Sequence, residues 1–131
     1  MSEDLDEYVR VAEFRSSLRR FLRRSEKVAR SAGLTPQRYL LLLMVKGAPD
    51  GSERSTVTEL AERLQLAQST VTELVGRAEE AGLLRREPSG LDGRVAHVRL
   101  TAEGERRLAD AFTSLESERE RLRHALAQLT A

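Results

Sequence analysis

The stretch STVTELAERLQLAQSTVTELVGRAEEAGLLRRE, residues 55–87, holds two short amphipathic patterns on either side of a single break. Thr56 and Glu59 stand at the T-x-x-E spacing of a capping box, in which each side chain satisfies a free backbone N–H at a helix start. The spacing predicts a short helix through Leu60, Ala61 and Leu64. A break at QLAQ follows, then a second helix from about Gln68 to Glu80, with Val71, Leu74, Val75 and Ala78 on its inner face. Gly82 closes it. Two short helices joined by a tight turn are a helix-turn-helix, an arrangement whose second helix can enter a DNA major groove.

Beyond this pair, LLRRE and VAHVRL read as two strands around PSGLDGR. Ala96, Val98 and Leu100 alternate with His97 and Arg99, which predicts one buried and one exposed face. Thr101 caps a last helical region running to the C-terminus, with Phe112, Leu115, Leu122, Leu126 and Leu129 as its apolar stripe. On the N-terminal side, residues 4–32 contain neither Gly nor Pro. They read as one long helix, with Leu5, Tyr8, Val9, Ala12, Leu18, Phe21, Leu22, Val28 and Ala29 at three- and four-residue spacing. GLTPQ then ends one helix and starts another: Gly33 suits a C-terminal cap, Thr35 an N-cap and Pro36 the first helical position. The helix that follows, QRYLLLLMVKG, is apolar nearly all round and is expected to be buried.

The fold class is therefore mostly α with a small β-hairpin wing. A winged helix-turn-helix lobe over 36–100 is flanked by helices over 4–32 and 102–131, in a single domain spanning 1–131. The C-terminal stripe is too long for so small a core, so both terminal helical regions are read as a homodimer interface. The same stripe also suits packing of those helices on each other within one chain.

Composition narrows the function classes. The chain has 131 residues, no cysteine, one third charged residues and a net charge of only +1. Absence of cysteine excludes disulfides, thiolate zinc sites and thiol redox sensing. The longest apolar run, YLLLLMV, is far too short to span a membrane, and the polar start MSEDLDEY does not resemble a secretory signal. These features fit a cytoplasmic globular protein with no membrane partner. Only five aromatics occur (Tyr8, Phe14, Phe21, Tyr39 and Phe112), so Leu, Val and Ala must build the core. His97 and His124 lie far apart and form no metal-ligand motif, and no nucleophile elbow, phosphate-binding glycine loop or catalytic carboxylate pair stands out. No cofactor and no enzymatic activity are expected.

The order helix, helix, helix-turn-helix, hairpin, terminal helix resembles the MarR family of bacterial transcription regulators over almost the whole chain. GLTPQRYLLL, TVTELAERLQLAQSTVTELVGRAEEAGLLRRE and DGRVAHVRLTAEG carry the resemblance most densely. The last of these fits the family's wing pattern of Asp-x-Arg, strand and Leu-Thr-x-x-Gly. Ala67, where a Ser or Thr N-cap is common, and Glu73, where a basic residue is frequent, depart from the pattern. The resemblance implies a sequence-specific regulator, a repressor, whose partner is double-stranded DNA.

Chemistry gives the wing residues a role. Arg94 at a loop tip can insert into a narrow A·T-rich minor groove, where the negative potential is enhanced. Asp92 can hold the guanidinium in place, and Gly90 and Gly93 let the backbone turn and approach the sugar-phosphate chain. The plainer reading is a solvated turn in which the Asp-Gly pair serves hairpin geometry alone. In the second helix Gln68, Ser69, Thr70, Thr72 and Glu73 are the exposed candidates for DNA contact. Gln68 suits adenine and Glu73 suits cytosine N4, while Ser69 and Thr70 either contact phosphate or cap the helix. Ser55 and Thr56 are further phosphate candidates, and Arg77 either reaches the backbone or pairs with a neighbouring acid. Residues 55–104 carry six bases against eight acids. Non-specific binding should accordingly be weak.

The first helix holds seven bases and one acid between residues 15 and 30. Arg15, Arg19, Arg23 and Lys27 form one stripe at four-residue spacing. The resemblance implies a small anionic or phenolic effector between the terminal helices and the DNA-binding lobe, with Arg15, Arg19, Arg23 and Tyr39 as its candidate residues. The stripe also suits a solvated face or a cross-subunit ion-pair partner for the acidic ESERER segment. The alternative function is a winged-helix protein–protein adaptor that binds no DNA.

Overall fold

The computed structural model describes residues 3–88 and 96–131. In chain order it contains α1 (Glu3–Ser31), α2 (Pro36–Lys46), α3 (Val57–Leu64), α4 (Gln68–Glu80), β1 (Leu84–Pro88), β2 (Ala96–Leu100), α5 (Ala102–Ser114) and α6 (Glu116–Thr130). This is the helix-rich winged architecture that the sequence predicts.

Local chemistry explains the boundaries. Gly33 adopts φ +78°, and the Leu34 N–H returns to the Ala29 carbonyl at 2.9 Å, closing α1. Thr35 accepts the Arg38 N–H and Pro36 stands at the first helical position, opening α2. Both halves of the Thr56–Glu59 capping box are formed at the start of α3. Gln65 ends α3 in the left-handed region at φ +56°, and this non-glycine turn swings the chain into α4.

The core sits between α2, α4, the hairpin and α5. Leu41, Leu42, Val45, Leu60, Val71, Val75, Ala111 and Leu115 are completely enclosed. β1 and β2 pair antiparallel with Leu84 opposite Leu100 and Glu87 opposite His97, while Ser55 adds a bridge to Val98. Val98 and Leu100 face the core as the alternation predicts, and His97 and Arg99 are only half-covered on the other face.

The Leu-Thr-x-x-Gly pattern has a steric explanation. Thr101 accepts the Gly104 N–H at 3.0 Å and donates its hydroxyl to the Gly82 carbonyl at 2.6 Å. That double tie brings α5 directly onto the backbone at Leu83. A Cβ at position 104 would lie 2.1 Å from the Leu83 carbonyl oxygen, so only glycine permits the approach.

The C-terminal region differs from the single helical run expected after Thr101. It breaks at Leu115, whose N–H turns back to the Phe112 carbonyl. Leu115 is fully buried in the lobe, and Leu108 and Ala111 of α5 join it, so α5 is part of the core. The separate helix α6 packs along α1 with Arg24 Nε 3.3 Å from Glu118 Oε1. Packing within one chain thus occurs, yet α6 has no buried residue and Leu126 remains exposed.

Candidate nucleic-acid interface

α4 is anchored from beneath and polar above. Val71, Val75 and Ala78 are wholly buried, with Leu74 partly so, and this fixes which side faces outward. Gln68, Ser69, Thr70, Thr72, Glu73 and Arg77 all lie on the exposed side. The N-cap position is Ala67 and provides no side-chain hydrogen bond, so neither Ser69 nor Thr70 is spent on capping. The first-turn N–H groups therefore stay available beside two hydroxyls, a combination suited to phosphate.

Two side chains on this surface are held. Gln68 Nε2 donates to Thr58 Oγ1 at 3.0 Å, across the turn between α3 and α4. Arg77 Nη2 lies 2.5 Å from Glu73 Oε1, one helical turn away, so the neighbouring acid is its partner here. Thr58 was outside the sequence candidates; its signal was an exposed Thr in the first turn of α3, on the side the turn brings beside α4. Thr56 is half-covered, with its oxygen accepting the Glu59 N–H. Ser55 requires a correction: its side chain is buried, because its backbone is bound to Val98 as an extra rung of the sheet, and it cannot meet a phosphate.

Asp92, Gly93 and Arg94 lie outside the described residues, as does Gly90. Every described base between 55 and 104 is engaged within the chain. Arg85 pairs with Glu87 at 2.6 Å, Arg86 with Glu79 at 2.7 Å, and Arg99 reaches Glu87 at 4.0 Å. Arg63 donates to the Met44 and Gly47 carbonyls at 2.8 and 3.2 Å, closing the C-terminus of α2.

The effector candidates line two adjoining grooves that share Leu22 and Glu26. Tyr39 borders a cleft of about 290 Å³ between α1, α2, α5 and α6, with Phe21, Leu22, Leu43, Phe112 and Arg119. Burial pushes the Tyr39 hydroxyl above its ordinary pKa, against a smaller downward pull from Arg119. Arg15, Arg19 and Arg23 instead line an outward groove with Leu18, Leu22 and Glu26. Four-residue steps carry that stripe around the helix, away from the Phe21–Arg24 side that meets α6. The cation at Tyr39 is Arg119, stacked 3.6 Å from the Phe112 ring centre and donating to the Phe112 carbonyl at 2.6 Å. Phe112 closes α5 and Arg119 opens α6, so their contact is made by the break at Leu115 and had no local signal in the sequence. Within the chain Arg24, a residue beside the stripe, pairs with Glu118 of the ESERER segment.

Among the described residues no group of three His, Asp or Glu could hold a metal ion, and no helix is long and apolar enough to cross a membrane.

Comparison with known proteins follows the same lines. A family model described as the MarR family matches residues 32–95. The HTH-type transcriptional regulator YsmB of Bacillus subtilis is 28% identical over 107 residues, covering 79% of this chain and 70% of YsmB. Wild-type MarR of E. coli in its apo form superposes with a TM-score of 0.69 at 18% identity, covering 82% of this chain and 77% of that one. A mutant MepR of S. aureus bound to an oligodeoxyribonucleotide gives 0.67 at 25% identity, covering 82% and 75%.

Proposed function

We propose that this chain, which matches a MarR family model over residues 32–95, is a sequence-specific, double-stranded DNA-binding repressor acting as a homodimer. Each subunit sets α4 in a major groove and Arg94 in the flanking minor groove. A two-fold dimer then requires a pseudo-palindromic site with half-sites about one helical turn apart. One observation carries the reading: an exposed polar face of Gln68, Ser69, Thr70, Thr72 and Glu73 on a helix whose other face is fully buried. The oligodeoxyribonucleotide bound to the similar MepR mutant supports it. The apolar residues left exposed on α1 and α6, among them Tyr8, Val9, Leu22 and Leu126, support the dimer. A small anionic or phenolic effector would enter the Tyr39 cleft, with Arg119 exchanging the Phe112 carbonyl for the ligand's anionic oxygen.

The test is selection and sequencing of genomic DNA fragments bound by the purified chain at two salt concentrations. Enrichment of a pseudo-palindrome with a steep salt dependence is the expected result. A well-folded protein that enriches nothing, or whose binding ignores salt, would favour the adaptor reading. The engagement of all five described bases between 55 and 104 within the chain is the observation on that side.

A further inference from the structure

We infer that two copies of this chain meet along α1, antiparallel, with the acidic half of one helix on the basic half of the other. This rests on the homodimer reading above and names the surface and direction of its contact. α1 divides sharply by charge. Residues 3–14 carry five acids and one base, whereas residues 15–30 carry seven bases and one acid. Little of that charge is used within the chain. Glu7 pairs with Arg10 and Arg24 with Glu118. Among the described residues the acids Asp4, Asp6 and Glu13 and the bases Arg15, Arg19 and Arg23 make no ion pair. In the ESERER segment Glu118 is taken by Arg24 and Glu120 by Arg123 at 3.2 Å, so the acids of α1 itself are the freer complement to the basic stripe.

The same helix presents an open face. Phe14 and Phe21 border α6 and Val28 enters the core, so that side is covered. On the opposite side Val9, Ala12, Ser16, Arg19 and Arg23 recur at three- and four-residue steps, and all five are exposed. The small Ala12 and Ser16 stand at the middle of that face, where two helices can cross closely. Exposed Tyr8 and Val9 lie toward the start. Toward the end runs a groove of about 250 Å³, lined by Arg15, Leu18, Arg19, Leu22, Arg23 and Glu26. A two-fold axis beside Ala12 and Ser16 lays Tyr8 and Val9 of one copy along that groove in the other, and symmetry forms the reverse contact at the same time. Apolar side chains then meet Leu18 and Leu22, while Asp4, Asp6 and Glu13 come alongside the arginines. A parallel pair would set the seven bases against seven and the five acids against five, which Coulomb repulsion opposes.

Charge-swap variants of the full chain, read by sedimentation equilibrium, test the pairing. All six positions changed are exposed, and lysine and glutamate are good helix formers, so α1 should keep its helicity in circular dichroism. R15E/R19E/R23E should raise the dimer dissociation constant by about tenfold or more, and so should D4K/D6K/E13K. The chain carrying all six substitutions keeps the net charge of +1 and again faces opposite signs, so it should dimerise within a few-fold of wild type. If the stripe instead meets the partner's ESERER acids, D4K/D6K/E13K is silent and the six-fold chain is no better than R15E/R19E/R23E. That result overturns the inference. Direction is read from disulfides, because the chain has no cysteine of its own. A Val9→Cys chain should oxidise to a covalent dimer with an Arg19→Cys chain, and neither with itself; self-linking by both overturns the antiparallel arrangement. A wild-type chain that sediments as a monomer removes the homodimer reading and this inference with it. A dimer indifferent to every substitution removes the α1 pairing alone.

Discussion

Around α4 the residues Val71, Val75 and Ala78 are sealed by their own chain, whereas α6 seals none of its residues and leaves Leu126 49% exposed. α1 shows both behaviours along one helix. Val28 and Ala29 at its end are buried in the lobe, while Tyr8 near its start is 74% exposed. The recognition lobe is therefore complete within one chain, and the terminal helices carry apolar area still in contact with water. At about 25 cal/mol per Å² such area is worth covering, and the proposed second copy covers it. The polar content of the two regions differs in the same sense. Exposed hydroxyl and amide groups crown α4 in a form suited to a polar ligand, and the terminal helices mix apolar residues with arginines.

The strongest way to break this contrast is to delete residues 118–131. The truncation should lose dimerisation altogether in sedimentation, yet still unfold cooperatively, because α6 contributes no buried residue to the lobe. A truncated chain that stays dimeric would move the interface elsewhere. Next in size is Gly104→Ala, which drives a Cβ to 2.1 Å from the Leu83 carbonyl. It should cost about 3 kcal/mol in denaturant unfolding, near the upper end for overpacking. An unchanged midpoint would mean that α5 is free to shift and that the lobe is less closed than described. Arg94→Ala tests the other side of the comparison. Operator binding should weaken more than tenfold while the dimer persists, and full affinity in the variant would end the minor-groove role of the wing.

The smallest effect concerns the link between α2 and α5. Lys46 bonds Glu53, and at 3.0 Å Glu105, which raises the lysine pKa through hydrogen bonds to Glu53 and then Glu105. Glu53 is lowered below its ordinary 4.5 by its bond to Lys46, and Glu103 is lowered by Arg107 and then Arg106. A carboxylate with a depressed folded pKa stabilises the fold above its ordinary value and loses that contribution as pH falls through the depressed one. Melting should therefore soften only below about pH 4.5. Lys46→Met should reduce that acid sensitivity, since Glu53 would lose the hydrogen bond that chiefly lowers it. An unaltered pH profile would show that these exposed pairs contribute nothing measurable, as many do.

Much of this molecule was legible in order of residues. The capping box at Thr56 and Glu59, the Gly33–Thr35–Pro36 junction and the inner stripe of α4 each depend on neighbours within a turn or two, and each forms as read. The helix break at Leu115 escaped that reading because Leu115 fits the apolar spacing of a continuous helix as well as it fits the core. Ser55 looked like a surface hydroxyl until Val98, more than forty positions away, paired with its backbone.

The sequence by itself determined the elements as far as β2, the winged helix-turn-helix class and the outward residues of α4, because helix periodicity and capping act over a few residues. Only the tertiary structure decided which polar groups meet. Gln68 meets Thr58, Tyr39 shares a cleft with Arg119 while Arg15, Arg19 and Arg23 line the adjoining groove, and Arg85 and Arg86 find acids within the chain. Those partnerships depend on how separate elements approach one another. Side chains of one type, such as the many arginines here, carry no local mark of which distant partner they will reach.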